Sequence, residues 1–301
     1  EAGSPEFYEL SLGEPLVISA HHGRGTAELL DTIKTLLPAQ TPIEAETSTI
    51  KVAIAGRPNV GKSMLLNALL GKERSIVDGT PGTTRDSVDT LLDFGGQNVL
   101  LIDTAGIRRR GRVKLGVEQD SVIRSLKAID RADIVLLVID AAEKITDQDL
   151  HVAGYIQQAA KGVVLVVNKW DLATEKNTVE WNEYIRSQFK FMAYAPILYT
   201  SAKSGQGVDK VIPQVCQVYK ERLKRITTSQ VNSVVQEAIA THGPPRGRAK
   251  SLKVLYATQV EVNPPTFAFF VNDAKLVHFS YKRYLENKLR QSFGFDGTPL
   301  R

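Results

Sequence analysis

The octapeptide Gly56-Arg57-Pro58-Asn59-Val60-Gly61-Lys62-Ser63 begins where the apolar run Lys51 to Ala55 ends, and a helical pattern from Ser63 to Leu70 starts at its far side. A Gly-x4-Gly-Lys-Ser loop between a buried-type strand and a helix leaves few architectures open. The glycines let the backbone curl until successive N–H groups point inward. The helix N-terminus adds positive potential, and Lys62 brings a full charge toward the β and γ positions of a polyphosphate. Ser63 stands where a hydroxyl reaches Mg2+, and Arg57, Pro58, Asn59 and Val60 complete the cradle.

The surrounding pattern is that of an α/β fold. Strand-like runs Val99 to Asp103, Ile134 to Asp140, Val163 to Asn168 and Pro196 to Thr200 alternate with amphipathic stretches such as Val117 to Ile129 and Gln148 to Ala160. Near-continuous Val, Ile and Leu strands separated by helices predict a mostly parallel sheet covered on both faces. Beyond Arg225 the order becomes a helix (Val231 to Thr241), two strands (Ser251 to Val260 and Thr266 to Asn272) and a helix (Tyr281 to Phe293), which predicts a small α+β module. The 301 residues suffice for two domains. With 43% hydrophobic and 24% charged residues, the chain is neither disordered nor collagen-like. Its longest apolar runs, Ile134 to Ile139 and Val163 to Val167, fall far short of the roughly 20 residues of a membrane helix, so no membrane partner is expected. The single cysteine, Cys216, excludes an intramolecular disulfide framework and a Cys-rich zinc site, which points to a reducing, cytoplasmic setting.

Three further motifs follow strands. Asp103-Thr104-Ala105-Gly106 puts a carboxylate in reach of Mg2+ through a water, and Gly106 brings its N–H toward a γ-phosphate. Asn168-Lys169-Trp170-Asp171 offers a carboxylate that accepts from both the N1–H and the 2-amino group of guanine, a pair that adenine lacks. Asp171 is therefore the expected base discriminator, Asn168 a positioning residue, and Lys169 an apolar stem lying along the ring or loop. Ser201-Ala202-Lys203 follows the next strand, where the Ala202 N–H meets the guanine 6-oxo group.

In this order the motifs resemble the translation-factor-type GTPases over Ile50 to about Arg225. With Gly82-Thr83-Thr84-Arg85-Asp86 they resemble the TrmE-Era group within them. The resemblance implies GTP and GDP as ligands and Mg2+ held by Ser63, Thr84 and Asp103, Thr83 being the neighbouring alternative for the switch I hydroxyl. Ile107 stands where many small GTPases carry a water-orienting glutamine, a task it cannot perform. In K+-dependent relatives a P-loop asparagine helps ligate a monovalent cation between the phosphates. Asn59 matches that position, which implies K+-stimulated hydrolysis with Asn59, Lys62, Thr84 and Gly106 as the catalytic set.

A second copy of one motif lies upstream. Leu16-Val17-Ile18-Ser19-Ala20-His21-His22-Gly23-Arg24-Gly25 is echoed by Leu198-Tyr199-Thr200-Ser201-Ala202-Lys203-Ser204-Gly205-Gln206-Gly207, each a strand, a Ser-Ala loop and a helix (Ala27 to Leu37 and Val208 to Arg225). The tandem copy narrows the resemblance to the EngA (Der) family of bacterial tandem GTPases, in which two G domains precede a KH-like domain. Residues 1–7 then read as a vector-derived scar, 8–37 as the last strand and helix of a first G domain, 38–49 as a linker, 50–225 as a G domain, and 226–301 as a KH-like domain cut within its last strand. The family likeness implies a switch in large ribosomal subunit (50S) assembly, with rRNA as partner and the first G domain docking on the KH-like domain. An Era-like ribosome-biogenesis GTPase and a nucleotide-gated RNA-binding scaffold with incidental hydrolysis are the alternatives.

Several features sit beside this reading. Met64 replaces the small polar residue usual after the Mg2+ serine, with altered helix packing beneath the loop expected. The run Arg108-Arg109-Arg110-Gly111-Arg112-Val113-Lys114 is either a solvated loop or a nucleotide-dependent contact with RNA or a neighbouring domain. Gly294-Phe295-Asp296-Gly297 matches the Gly-x-x-Gly of RNA-clamping KH loops, but it does not join two helices and reads as a helix cap and turn ahead of a strand. Phe267, Phe269 and Phe270 read as core. The net charge of +5 is local: residues 226–301 carry ten Lys and Arg against five Asp and Glu, as an RNA-docking module would.

Overall fold

A computed structural model describes residues 15–19, 25–36, 49–72, 89–104, 107, 118–244 and 251–301. In chain order they form α1 (Thr26–Leu36), β1 (Ile50–Ala55), α2 (Lys62–Lys72), β2 (Thr90–Phe94), β3 (Gln97–Ile102), α3 (Glu118–Arg131), β4 (Ile134–Asp140), α4 (Asp147–Gln158), β5 (Gly162–Asn168), α5 (Thr178–Gln188), β6 (Ile197–Tyr199), α6 (Val211–Arg222), α7 (Thr228–Thr241), β7 (Val254–Val262), β8 (Pro265–Val271) and α8 (Phe279–Phe293). They group into two compact units. One takes in 47–224, 261–266 and 294–301; the other takes in 225–260 and 267–293 with the residues before 47.

The first unit is built on a sheet of order β2-β3-β1-β4-β5-β6 among the described residues. All neighbours are parallel except β2, which runs antiparallel to β3. The two-residue period of a strand divides its apolar side chains between two cores. Ile134, Leu136 and Val138 of β4 pack with Leu65, Leu66 and Leu69 of α2 and Val211, Val215 and Val218 of α6. Val135, Leu137 and Ile139 face the other way, with Ile129 of α3, Ile156 of α4 and Ile185 of α5. These six apolar side chains of β4 are at most 2% exposed, as a central parallel strand requires.

Two elements of this unit go beyond the sequence reading. β2 is the outer arm of a hairpin through Gly95 and Gly96, both at positive φ, and a Gly-Gly pair is the signal that marks it. In α5, the Asn177 side chain accepts from the N–H groups of Val179 and Glu180, satisfying orphan donors at the helix start. The expected helix Val208 to Arg225 opens as a 3-10 turn, Val208–Lys210, and is α-helical only over α6.

The chain end does not form the strand expected after Gly297. Gly294 follows α8 at φ 85 as a helix cap, and residues 296 and 297 turn. The segment then packs inside the first unit. The Phe295 N–H donates to Glu221 Oε2 (2.7 Å), and its side chain is fully buried. The Gly297 N–H donates to the Tyr194 carbonyl (2.8 Å), while its own carbonyl accepts from Val163 N–H (2.7 Å). These bonds satisfy the backbone without a ladder.

In the second unit, α7 and α8 lie with the hairpin β7-β8 over a core that includes Ala238, Leu252, Tyr281 and Leu285, with Phe269 against it. Asn232 of α7 exchanges two bonds with the backbone of Ala257, donating at 2.8 Å and accepting at 2.9 Å, as a neighbouring strand would. Phe267 is buried as expected, but Phe270 is 53% exposed and lies beside Tyr256. The alternation of β8 turns Phe270 outward because its immediate neighbours, Phe269 and Val271, pack against the core. Upstream, only Ser19 of residues 15–19 makes a bridge, so the strand expected at Leu16 to Ser19 is not formed; Leu16, Val17 and Ile18 are exposed. Apolar runs of that kind persist as strands only under a covering layer. Met64 is half exposed on α2.

Candidate nucleotide-binding site

The loop from Gly56 to Gly61 joins β1 to α2, and its two glycines meet hard limits. A Cβ on Gly56 (φ 140) would lie 2.4 Å from the Val138 carbonyl oxygen, and one on Gly61 (φ 95) 2.3 Å from Asn168 Nδ2. Both positions combine a left-handed backbone with a close approach, which only glycine tolerates. Lys62 is 8% exposed, and its ammonium donates to the carbonyls of Gly56 (2.7 Å) and Arg57 (2.5 Å). The cation thus sits across the mouth of the loop, where a β,γ-phosphate pair would accept the same donors. Val60 is fully buried, whereas Pro58 and Asn59 are exposed. Asn59 is left-handed at φ 65, and its side chain makes no hydrogen bond among the described residues.

At the base-recognition end, Asn168 terminates β5 and is 1% exposed. Its Nδ2 donates to the Val60 carbonyl (2.9 Å), and its Oδ1 accepts from Ala202 N–H (3.0 Å) and Thr200 Oγ1 (3.3 Å). One buried amide therefore ties the phosphate loop to the Ser201-Ala202-Lys203 loop. The Ala202 N–H, expected on guanine, is engaged by Asn168, so a 6-oxo group would share it as a three-centre bond. The Ser201 hydroxyl is the main influence holding the Asp171 carboxyl below its ordinary range, with Lys203 and Lys176 adding to the effect. Asp171 is thus an acceptor at neutral pH, as a guanine edge requires.

Lys169, expected to lay its stem along the ring or loop, is fixed at its ammonium end. It takes φ 62, and its ammonium pairs with Asp140 Oδ2 at 2.5 Å; the other Asp140 oxygen accepts from Ala142 N–H. Asp140, 5% exposed at the end of β4, is a site residue that sequence reading missed. The only local signal was a carboxylate closing an apolar strand. Trp170 packs against Trp181 and Tyr199.

The Ser63 hydroxyl donates to the Ile107 carbonyl at 2.7 Å, so two hard oxygens already converge at the start of α2. Asp103 follows β3 at φ 57, its N–H donating to Asp89 Oδ1. A hydroxyl and a carboxylate are the donor chemistry Mg2+ takes, and the residues present fit it. Thr104 is 4% exposed and its hydroxyl pairs with Thr90 at 2.8 Å, facing β2. Thr83, Thr84, Ala105, Gly106 and the run Arg108 to Lys114 lie outside the described residues.

Two family models match the chain: one described as 50S ribosome-binding GTPase, over residues 51–169, and one as KH-domain-like of EngA bacterial GTPase enzymes, C-terminal, over residues 225–301. Against GTPase Der of Desulfitobacterium hafniense the chain is 51% identical over 299 residues, and against GTPase Der of Moorella thermoacetica 50% over 298. Each alignment takes in 98% of this chain and 68% of the relative. The chain belongs to the GTPase Der family. A Der relationship running through both units, including the EngA-type C-terminal domain, decides against the Era-like alternative. Among solved structures, Era in complex with MgGDPNP and nucleotides of 16S ribosomal RNA aligns over 83% of this chain and 90% of its own at 21% identity and a TM-score of 0.43. Among the described residues no helix of this Der-family chain is long and apolar enough to cross a membrane.

Proposed function

We propose that this chain is the GTP-hydrolysing and RNA-facing part of a Der-type switch in large ribosomal subunit assembly, acting in the bacterial cytoplasm. One observation carries the reading: Asn168 joins Val60 of the phosphate loop to Ala202 of the base loop. Phosphate and base recognition are then one rigid frame. In that frame Lys62 transfers its donors from Gly56 and Arg57 to the β and γ phosphates, and Asp171 accepts from the guanine edge. Ser63, Asp103 and Thr84 would hold Mg2+, whose charge offsets that of the phosphate oxygens. Water attacks the γ-phosphorus in line, giving GDP and phosphate. Because Ile107 cannot orient that water, Asn59, exposed and with no side-chain hydrogen bond among the described residues, is proposed to ligate K+ at the phosphates, and Gly106 to donate its N–H to the γ-phosphate.

The proposed organisation is a GTPase domain over 50–225 and a KH-like domain over 226–301, preceded by the end of another G domain at 8–37 and a linker. The basic excess of 226–301 supports rRNA as its partner, and the first G domain is proposed to dock on the same module. The test is twofold. Steady-state GTP hydrolysis in KCl should exceed that in NaCl at fixed ionic strength, and equal rates would remove K+ from the reading. Co-sedimentation with large ribosomal subunits should depend on GTP; identical pelleting with GTP, GDP and no nucleotide would remove the switch.

A further inference from the structure

Arg57, the second residue of the phosphate loop, turns its guanidinium away from solvent onto the β4–α4 connection. Its Nη2 lies 2.7 Å from Glu143 Oε2 and its Nε 3.5 Å from Asp149 Oδ2. Asp149 is 1% exposed. Its Oδ2 also accepts from the N–H and hydroxyl of Thr146, closing the capping box of α4, while among the described residues Oδ1 has no hydrogen-bond partner and Arg57 Nε meets Asp149 as an ion-pair contact without a hydrogen bond. A buried carboxylate with an oxygen unpaired needs a cation at hand, and Arg57 is the cation in contact with it. The phosphate loop is thereby moored to the start of α4.

That mooring lies on one side of Asn59. Arg57 is held by Glu143 and Asp149, the ring of Pro58 fixes that residue's own φ and restricts Arg57 before it, and on the far side the Val60 carbonyl is held by Asn168. Asn59 stands between the two anchors at φ 65, a left-handed conformation that asparagine adopts more readily than other non-glycine residues and that the anchors on either side of it fix in place. We infer that Arg57 is a positioning residue for hydrolysis: pinned by Asp149 and Glu143, it holds Asn59 in the left-handed geometry from which that side chain reaches the phosphates. The inference rests on the proposed role of Asn59 and deepens it. It assigns Arg57 no contact with substrate.

A double-mutant cycle separates the inference from the reading beneath it. Arg57→Gln, Asn59→Ala and the double variant are compared by single-turnover GTP hydrolysis and by GDP affinity. Each single variant should slow hydrolysis about tenfold with GDP affinity within about threefold, and the double should be no slower than Asn59→Ala alone, since Arg57 acts only through Asn59. Arg57→Lys, which retains a cation for Asp149, should recover part of the rate. Should Asn59→Ala be slow while Arg57→Gln hydrolyses at the wild-type rate, the inference falls and the Asn59 reading stands. Additive effects in the double variant also overturn it. A wild-type rate for Asn59→Ala removes the underlying reading and the inference with it. If both Arg57→Gln and Arg57→Lys lose GDP binding, Arg57 merely holds the loop together, and the positioning role is wrong.

Discussion

Asn168 Nδ2 donates to the Val60 carbonyl at 2.9 Å across 108 residues of sequence, and the same side chain accepts from Ala202 N–H at 3.0 Å. Asn168→Ala strands a buried carbonyl and a buried amide at once, each of which is costly to leave unmade. The expected loss of stability is about 3 kcal/mol, read from a chemical denaturation midpoint. GDP affinity should fall by at least about tenfold, because the phosphate and base loops lose their common tie. Retained affinity in a protein of reduced stability would show that the loops hold their places independently.

Guanine recognition should be insensitive to pH across the neutral range. The Ser201 hydroxyl depresses the Asp171 carboxyl below its ordinary 3.8. A carboxyl whose pKa is lowered stays ionised above its ordinary value and loses its acceptor role only as pH falls through the lowered one. GDP affinity should therefore be flat from about pH 8 to pH 5. Ser201→Ala should move the acid limb of that profile upward, and an unmoved limb would remove the Ser201 contact. Asp171→Asn should exchange a preference for guanine for one for xanthine, measured by competition between GDP and XDP.

Lys62→Ala should abolish measurable GTP binding in a fluorescent-nucleotide titration while leaving the fold intact. The ammonium spans the Gly56 and Arg57 carbonyls, both of which water can reach once the side chain is shortened, so the protein loses little when the charge is removed. A β,γ-phosphate pair would lose the ammonium at the mouth of the loop, and the loop's other cation, Arg57, is turned onto Glu143 and Asp149. Unchanged affinity would count against the phosphate-loop assignment.

What could be read from the residues was what repeats or what is local. β4 was expected at Ile134 to Asp140 and is found there, because a central parallel strand writes itself as an unbroken apolar run. Gly56 and Gly61 were legible because a phosphate cradle needs their backbone freedom. β2 was missed because Thr-Leu-Leu-Asp-Phe lacks clean alternation and belongs to a sheet edge, and only Gly95-Gly96 betrays it. The site residues that escaped notice are acids whose meaning is tertiary. Asp140 matters because Lys169 arrives from 29 residues away, and Asp149 because Arg57 does so from the first βα loop. No periodicity announces such pairs. The end of the chain illustrates the same limit: Gly294 and Gly297 were readable as cap and turn, but not that Phe295 would be buried and hydrogen-bonded to Glu221.

Arg222 bears on how that end is secured. It is 3% exposed near the end of α6, and its guanidinium donates to Asn263 Oδ1 and, at 3.3 Å, to Thr298 Oγ1. Burial lowers its pKa to about 10, which still leaves it cationic at neutral pH. Asn263 and Thr298 belong to the two segments, 261–266 and 294–301, that join the first unit from beyond residue 225. Arg222→Ala should cost about 3 kcal/mol of stability, since it opens a cavity and removes the bonds to Asn263 and Thr298; Arg222→Met, which refills the volume, should cost less. Limited proteolysis should then cut after Gly294 in the Ala variant and not in the parent. GDP affinity should stay within about twofold, because the partners of Arg222 lie outside the nucleotide motifs. A stability loss without new cleavage would mean that Phe295 and Gly297 secure the chain end without help from Arg222.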